Sequence, residues 1–492
     1  HRQRFLHIAR LGVDPVNITR LLTPAWVTQI TQRYVPFADA ASADLPLGRL
    51  LRLSLFQLSI GITIALLVGT LNRVMIVELG VPAWWVALSV ALPLVFAPMR
   101  ALIGYRSDTH PSALGLKRLP YLWMGSILMF GGLAIMPFAL LLLSDPPPGT
   151  IWFGRIGAAL AFLLVGAGMQ ITQTAGLALA SDISPEDKRP RVVALLYSML
   201  LVGMIVGSAL LGLLLADFTP QRLIQVVQGA AVLVVVLNLT SLWKQEHRQP
   251  RRGQRQAHGF SRSWQRLMAI PRMRRFLWTV GLGTVAFSMQ DIVLEPYGGE
   301  VLGLDVGLTS GLTALSAGGS LLAFVLSARF MARGMDTIRL AAAGALLGLP
   351  AFAMVIFSAP LQSAWLFQAG AALIGFSGGL FAVGMLLTAM ELPEREHTGL
   401  VLGAWGAVQA TAAGLSMALG GALRDGVAVL AQGGWLGAPL NSAVTGYSVV
   451  FHLEIYLLFV VLIALGPLVR RSSPSHTAQR NPHAIGLAEL PG

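Results

Sequence analysis

The sequence predicts an all-α membrane protein, with twelve transmembrane helices in two pseudo-symmetric six-helix bundles. Three observations carry this expectation. The 492-residue chain is 55% hydrophobic and only 12% charged, too apolar a balance for a soluble protein of that length. Its apolar residues fall in runs of about 20, each long enough to cross a ~30 Å hydrocarbon core at a rise of ~1.5 Å per residue. A basic segment over 244–275, containing Pro250 and Pro271, divides those runs into six and six.

The elements follow in order. Residues 1–50 form a cytoplasmic N-terminal arm, mixed and polar, with no cleavable signal peptide evident. Its stretch 18–30, with Pro24 inside, suits short helices lying on the membrane surface, with a disordered or partner-binding arm as the alternative. The N-terminal bundle (51–243) holds spans over 53–77, 82–104, 120–143, 152–180, 191–216 and 222–243. The linker 244–275 sets ten Lys and Arg against a single acid, Glu246. Such a run fixes topology and contacts lipid headgroups, with partner docking as the alternative. The C-terminal bundle (276–470) holds spans over 276–298, 308–331, 338–358, 363–390, 398–424 and 445–469, and a polar cytoplasmic tail covers 471–492.

An even number of spans puts both termini on one side of the membrane. Arg100, Arg106, Lys117 and Arg118 follow span 2 on the side of the linker, whereas the other side has few basic residues: Arg73, Arg155, Arg222 and Arg424. The excess of Lys and Arg therefore predicts cytoplasmic termini. The charge is +13, but its placement in short interhelical links argues against a nucleic-acid partner. With no cysteine in the chain, disulfides, thiolate metal sites and thiol catalysis are excluded.

The halves also match each other. Span 4 and its exit read Gly166-Ala167-Gly168-Met169-Gln170, then Ser184-Pro185-Glu186-Asp187-Lys188. Span 10 and its exit read Gly375-Phe376-Ser377-Gly378-Gly379, then Leu392-Pro393-Glu394-Arg395-Glu396. Parallel six-span repeats of this kind mark the major facilitator architecture. Gly104-Tyr105-Arg106-Ser107-Asp108, followed by Gly115-Leu116-Lys117-Arg118, resembles the loop signature of that superfamily, stretched here by residues 109–114. An acid at a span end pairs with basic residues and helix termini, which makes Gly104, Asp108 and Arg118 structural or gating candidates.

Motifs of soluble enzymes are missing. There is no Walker loop, no strand-linked GxGxxG, no nucleophile elbow and no HExxH, and catalysis is not expected. What stands out is residues 290–299, Gln-Asp-Ile-Val-Leu-Glu-Pro-Tyr-Gly-Gly. Asp291 and Glu295 share one helix face, where like charges repel, and ionised carboxylates in hydrocarbon are costly unless paired or solvated. Pro296 cannot donate to the carbonyl of Ile292, so a helix break is expected there, loosened further by Gly298 and Gly299. Counted from Phe276, Asp291 lies about 22 Å into the core and Glu295 about 28 Å. Arg73 reaches the same level in span 1, the symmetry equivalent of span 7. Asn72-Arg73 are therefore expected to face Gln290-Asp291, with Arg73 paired to Asp291 or Glu295, and Glu78 ends the same span. Gln170 and Gln173 read as interhelical hydrogen-bonding groups. Glycines of span 10, Gly375, Gly378, Gly379 and Gly384, read first as helix-packing positions, with close approach of a flat macrocycle as the alternative. His452 is the histidine well inside a span, either hydrogen-bonded to a neighbour or ligating a metal through neutral imidazole.

Several of these segments together resemble one family. They are Asn72-Arg73-Val74-Met75-Ile76-Val77-Glu78-Leu79-Gly80, Ala97-Pro98-Met99-Arg100 running on to Asp108, Lys117-Arg118-Leu119-Pro120-Tyr121, and Met289 through Gly299. They resemble the bacteriochlorophyll delivery branch of the major facilitator superfamily, the PucC and LhaA-type light-harvesting assembly factors of purple bacteria. The resemblance covers about residues 50–470. It implies a protein of the bacterial inner, intracytoplasmic photosynthetic membrane that binds bacteriochlorophyll or delivers it to antenna polypeptides. It also implies association with antenna subunits, the reaction-centre core, pigment-synthesis enzymes and membrane lipids. Gln290, Asp291, Glu295, Tyr297 and His452 are the candidate pigment-binding residues. Glu295 and His452 are the candidate axial ligands of the chlorin magnesium, and no metal is expected to bind the protein directly. Asn72, Arg73 and Glu78 join the structural or gating set. Two other readings stay open, a proton-coupled transporter of a small solute using Asp291 and Glu295, and a pigment-free scaffold for antenna subunits.

Overall fold

The structure, a computed structural model, describes residues 45–95, 97, 116, 118–144, 149–185, 189–246, 268–391 and 398–468. Most of the N-terminal arm, the loop signature at Gly104 and Asp108, Glu186 and Pro393-Glu394 of the matched exits, the middle of the linker and the tail lie outside the described residues. Twelve apolar helices follow in order: α1 (Leu47–Glu78), α2 (Ala83–Val95), α3 (Leu119–Ser144), α4 (Ile151–Ile183), α5 (Arg189–Leu214), α6 (Pro220–Leu242), α7 (Pro271–Glu300), α8 (Val306–Ala332), α9 (Thr337–Ser358), α10 (Ala364–Glu391), α11 (Thr398–Gln432) and α12 (Ala443–Leu465). Among the described residues, every one but α2 is long and apolar enough to cross a membrane. The chain is a multi-pass membrane protein.

Local chemistry sets the helix starts. Thr219 accepts from the Arg222 amide at 3.1 Å, and Pro220 opens α6. Asp305 and Asp336 accept from Leu308 and Ile338 amides, each at 2.7 Å, to start α8 and α9. These are the N-cap chemistries that satisfy otherwise unpaired first-turn donors. The sole acid of the linker acts likewise from a distance: Glu246 accepts from the backbone amides of Arg118 and Leu119 at 3.1 and 3.0 Å, at the start of α3. The first linker residues are therefore docked, with Gln245 buried against Arg49.

Packing repeats across the two halves. In the first bundle, α1 packs on α5 and α6, α3 on α4 and α6, and α2 on α4. In the second, α7 packs on α11 and α12, α9 on α10 and α12, and α8 on α10. Each pair maps onto the other by a shift of six helices. Close glycine crossings correspond too. A Cβ at Gly125 of α3 would lie 2.8 Å from the Gly168 carbonyl of α4, and one at Gly344 of α9 would lie 2.6 Å from the Phe381 amide of α10. Gly375, Gly379 and Gly384 likewise face backbone of α8 or α9, so these span 10 glycines serve helix packing, as in other membrane bundles.

Between the bundles, α2 packs on α11, α5 on α8, and α1 on α7. These pairings exchange under a twofold axis that passes between α1 and α7. Their hydrogen bonds cluster at the end of the bundle away from the termini. Thr70 and Ser310 bond at 3.0 Å, Ser208 donates to the Ser310 carbonyl, and the Trp84 amide donates to Asp425 at 2.7 Å. Gly212 and Gly307 oppose each other at the α5–α8 crossing, each 2.9 Å from the other's carbonyl when given a Cβ.

Candidate functional site

The site is built where α1 and α7 meet beside α12. The expected helix break falls one to two turns before Pro296: α7 is interrupted at Met289, between segments Pro271–Ser288 and Gln290–Glu300, and continues through Pro296 and the two glycines. The proline removes one donor, and a proline ring bends the turn before it. The Ile292 carbonyl, which Pro296 cannot serve, accepts from Asn72 Nδ2 at 2.9 Å. The Gln290 amide, a first-turn donor of the second segment, donates to Glu454 Oε1 of α12 at 2.7 Å. Side chains of α1 and α12 thus stitch the interrupted helix on both sides, as buried backbone groups require. Gly298 and Gly299 do not loosen it. They admit close neighbours, with Phe367 at 2.9 Å and the Arg73 guanidinium at 3.2 Å from where a Cβ would stand.

The remaining residues of the motif occupy different surroundings. Gln290 Nε2 donates to the Phe287 carbonyl at 3.3 Å and to Asp291, which is half-buried. Glu295 is buried, accepts from Thr313 of α8, and lies against Gly69 of α1. Its second oxygen has no hydrogen-bond partner among the described residues, and neither does the second oxygen of buried Glu454. Tyr297 is buried in an aromatic cluster with Phe367, Tyr447 and Phe451, its ring centroids 5.4, 5.5 and 5.4 Å from theirs. Glu295 and Tyr297 therefore sit within helix seams, where a flat macrocycle has no room.

The structure pairs Arg73 with Glu78 rather than with Asp291 or Glu295. The reason lies in α1, which is π-helical over Ala65–Leu71 and again over Val74–Glu78. A π turn brings residues five apart onto one face, and Arg73 and Glu78 bracket the second one. Arg73 still crosses to the other bundle, donating to the Leu304 carbonyl at 3.2 Å. Its side chain is 4% exposed against 34% for Glu78, so Arg73 is the member that needs its partner. Glu78→Gln is expected to lower stability by about 1–3 kcal/mol, and Arg73→Met in the same chain to restore most of that loss. Thermal unfolding of the two single variants and the double variant checks the cycle.

A second polar cluster has no counterpart in the sequence reading. Arg424 of α11 pairs with Glu300 of α7 and with Asp425 at 2.6 Å, and its guanidinium stands 4.6 Å from the Tyr447 ring centroid. Tyr447 in turn donates to Glu300 at 2.8 Å. From the sequence, Arg424 registers only as a loop charge. Nothing in the spacing links it to Glu300, because α7, α11 and α12 come together only on packing. Arg118 pairs with Asp182 at 3.0 Å, joining the starts and ends of α3 and α4, a structural role.

His452 lies apart from the seam, on the exposed face of α12. Its Nδ1 is 2.7 Å from the Ser448 carbonyl. A carbonyl only accepts, so Nδ1 donates, and in the neutral imidazole it is Nε2 that keeps the lone pair. Counted from Ala443, His452 is nine residues in, about 14 Å along the helix and near the middle of a span. Val449, Tyr456 and Phe459 are exposed on the same side. The imidazole therefore offers one neutral nitrogen to the hydrocarbon, flanked by apolar side chains.

Residues 70–473 match the family described as PUCC protein. The chain is 51% identical, over 96% of its length and 100% of the relative's, to an uncharacterized protein in the puhA-bchM intergenic region of Rhodobacter capsulatus. It is 51% identical to Protein PucC of Rhodovulum sulfidophilum, over 82% of this chain and 90% of that one. Among solved structures, a bacterial homolog of the human lysosomal transporter Spinster in an inward-facing, unoccupied conformation superposes with a TM-score of 0.63. That match has 16% identity and covers 85% of this chain and 95% of the other. At that identity the likeness concerns the fold alone, which is the major facilitator fold of two six-helix bundles.

Proposed function

The chain belongs to the PUCC protein family, and on that premise we propose that it is a non-enzymatic assembly factor for photosynthetic light-harvesting complexes. It holds bacteriochlorophyll in the membrane and passes it to antenna polypeptides. It works in the bacterial inner membrane with both termini in the cytoplasm, beside antenna subunits, the reaction-centre core and the enzymes that make the pigment.

The single observation that carries this reading is His452. When bound, a bacteriochlorophyll would supply a light-absorbing macrocycle, and His452, as neutral imidazole, would be a suitable donor to hold its magnesium. Ser448 fixes the imidazole tautomer by accepting from Nδ1, leaving Nε2 as the donor. A hydrogen bond of this kind also orients a ligating histidine. The exposed faces of Tyr456 and Phe459 border the position, keeping water away from a group that must not be released into it. On the inner face of the same helix, Glu454 holds α7 in its interrupted form, so donor and seam share α12.

Protein purified from phototrophic cells should carry bacteriochlorophyll absorbance. His452→Phe should reduce pigment retained per chain about tenfold, comparable to the loss of a well-oriented metal ligand. Equal pigment in the variant would overturn the assignment of His452. Antenna subunits co-purifying without any pigment would favour the scaffold reading. The unpartnered buried oxygens of Glu295 and Glu454 are what favours a proton-coupled transporter. Proton-driven solute uptake into vesicles, lost in Glu295→Gln, would establish that instead.

A further inference from the structure

A groove of about 420 Å³ lies between the consecutive helices α5 and α6, at the half of the bundle away from the termini. That volume falls in the ~300–1,000 Å³ range of small-molecule sites. Ile62, Gly207, Gly229 and Leu233 lie along it, and Arg222 and Gln225 stand at its rim. The walls are apolar and the polar groups are confined to one end. From Arg222 to Leu233 the groove follows eleven residues of α6, about 16 Å, which is close to one leaflet of a ~30 Å core.

Two glycines give the groove its depth. Gly207 lets α5 approach α1 closely, with Ile62 Cα 2.8 Å from where a Cβ would sit. At Gly229 an added Cβ would meet no atom within 4 Å, so the space beside α6 is open. Arg222 donates to Asp217 through Nη1 alone, to the carbonyl at 3.2 Å and to the carboxylate at 3.4 Å. Asp217 is almost fully exposed, so this pair is weak, and the other guanidinium nitrogens point no further bond at it. Arg222 also lies in the first turn of α6, where the helix dipole adds to its positive potential.

We propose that this groove binds one anionic phospholipid of the adjoining leaflet, with an acyl chain along Gly229 and the phosphate on Arg222. Length and charge select this occupant. The groove is one leaflet deep, and its cation stands at headgroup level. The bound lipid fills the gap that α5 and α6 leave open. It thereby supports the face of α5 opposite Ser208 and Gly212, the residues that meet α8 across the two bundles. The inference is independent of the pigment reading.

Native mass spectrometry of the purified full-length protein tests it, with added phosphatidylglycerol and phosphatidylcholine as probes. One phosphatidylglycerol per chain should be retained in preference to phosphatidylcholine. Gly229→Phe should lower that retention about tenfold. Arg222→Gln should erase about fivefold of the preference for the anionic lipid, the effect of one basic charge at a lipid surface. Gly131→Phe is the control, since a Cβ at Gly131 of α3 also meets nothing within 4 Å and lies outside the groove. Equal retention by Gly229→Phe and Gly131→Phe would overturn the proposal. So would indifference of the unaltered protein to headgroup charge, or a bacteriochlorophyll displaced by Gly229→Phe in place of the phospholipid.

Discussion

Gly61→Leu is expected to remove the folded protein from the membrane. Gly61 of α1 and Gly203 of α5 cross with their backbones in contact. A Cβ at Gly61 would lie 2.8 Å from the Met204 amide and 2.9 Å from the Gly203 carbonyl carbon, and one at Gly203 would lie 3.0 Å from Leu58 Cα. Overpacking against flexible side chains costs about 1–3 kcal/mol. Here the atoms in the way are main chain on both helices, so relief requires the helices to part. Separating them would also disturb the bonds of Ser208 and Thr70 to Ser310, since Ser208 lies on α5 and Thr70 on α1, and both meet the same residue of α8. The loss should therefore exceed about 3 kcal/mol, the upper range for a packed core. It reads out as a collapsed monodisperse peak in detergent and little accumulation in the membrane. Gly131→Leu, whose Cβ meets open space, should accumulate normally.

The contrast between these two glycines shows what the sequence makes legible and what it does not. The six-plus-six division and the approach of span 1 to span 7 follow from apolar length, basic links and repeat symmetry, and the pairings of the twelve apolar helices bear them out; eleven of those helices are long enough to cross a membrane among the described residues. Which glycine touches backbone depends on helix rotation, and glycine-rich spans look alike in a string of letters. The same limit explains Arg73. Depth counting puts it level with Glu295, but a π turn in α1 swings it to Glu78, and no residue pattern announces a π turn. The motif at 290–299 was legible as an interruption because a proline and paired acids are rare in hydrocarbon. Of its partners, Asn72 was legible from the symmetry of spans 1 and 7, whereas Thr313 and Glu454, on α8 and α12, were not.

Those partners suggest why α7 breaks where it does. A proline in a straight transmembrane helix leaves one carbonyl unpaired, and in this chain Asn72 takes that carbonyl up. That alone stabilises Pro296 but does not demand a break at Met289. The break gives the Gln290 amide a direction off the helix axis, towards α12, where Glu454 accepts it. Two helices from different positions in the chain thus fix one interruption.

Glu454→Leu is accordingly expected to unfasten the interrupted helix, with an effect second only to Gly61→Leu. The residue is fully buried, so leucine fits the site in volume while deleting the acceptor. The Gln290 amide is then left without a partner, at a cost of about 1–3 kcal/mol, or roughly five- to a hundredfold in a local opening equilibrium. Hydrogen exchange followed by mass spectrometry reads this directly: peptides spanning Met289–Val293 should exchange faster by that factor, while those of α3 and α4 stay unchanged. Glu454→Gln separates the causes, because its amide oxygen still accepts from Gln290 although the side chain no longer ionises. If the role is to hold the backbone, Glu454→Gln exchanges like the unaltered protein and retains the same pigment. If exchange is unchanged in Glu454→Gln but pigment or transport is lost, Glu454 acts through its proton. Faster exchange in Glu454→Gln as well would mean that the ionised carboxylate, and not merely an acceptor oxygen, fastens α7 to α12.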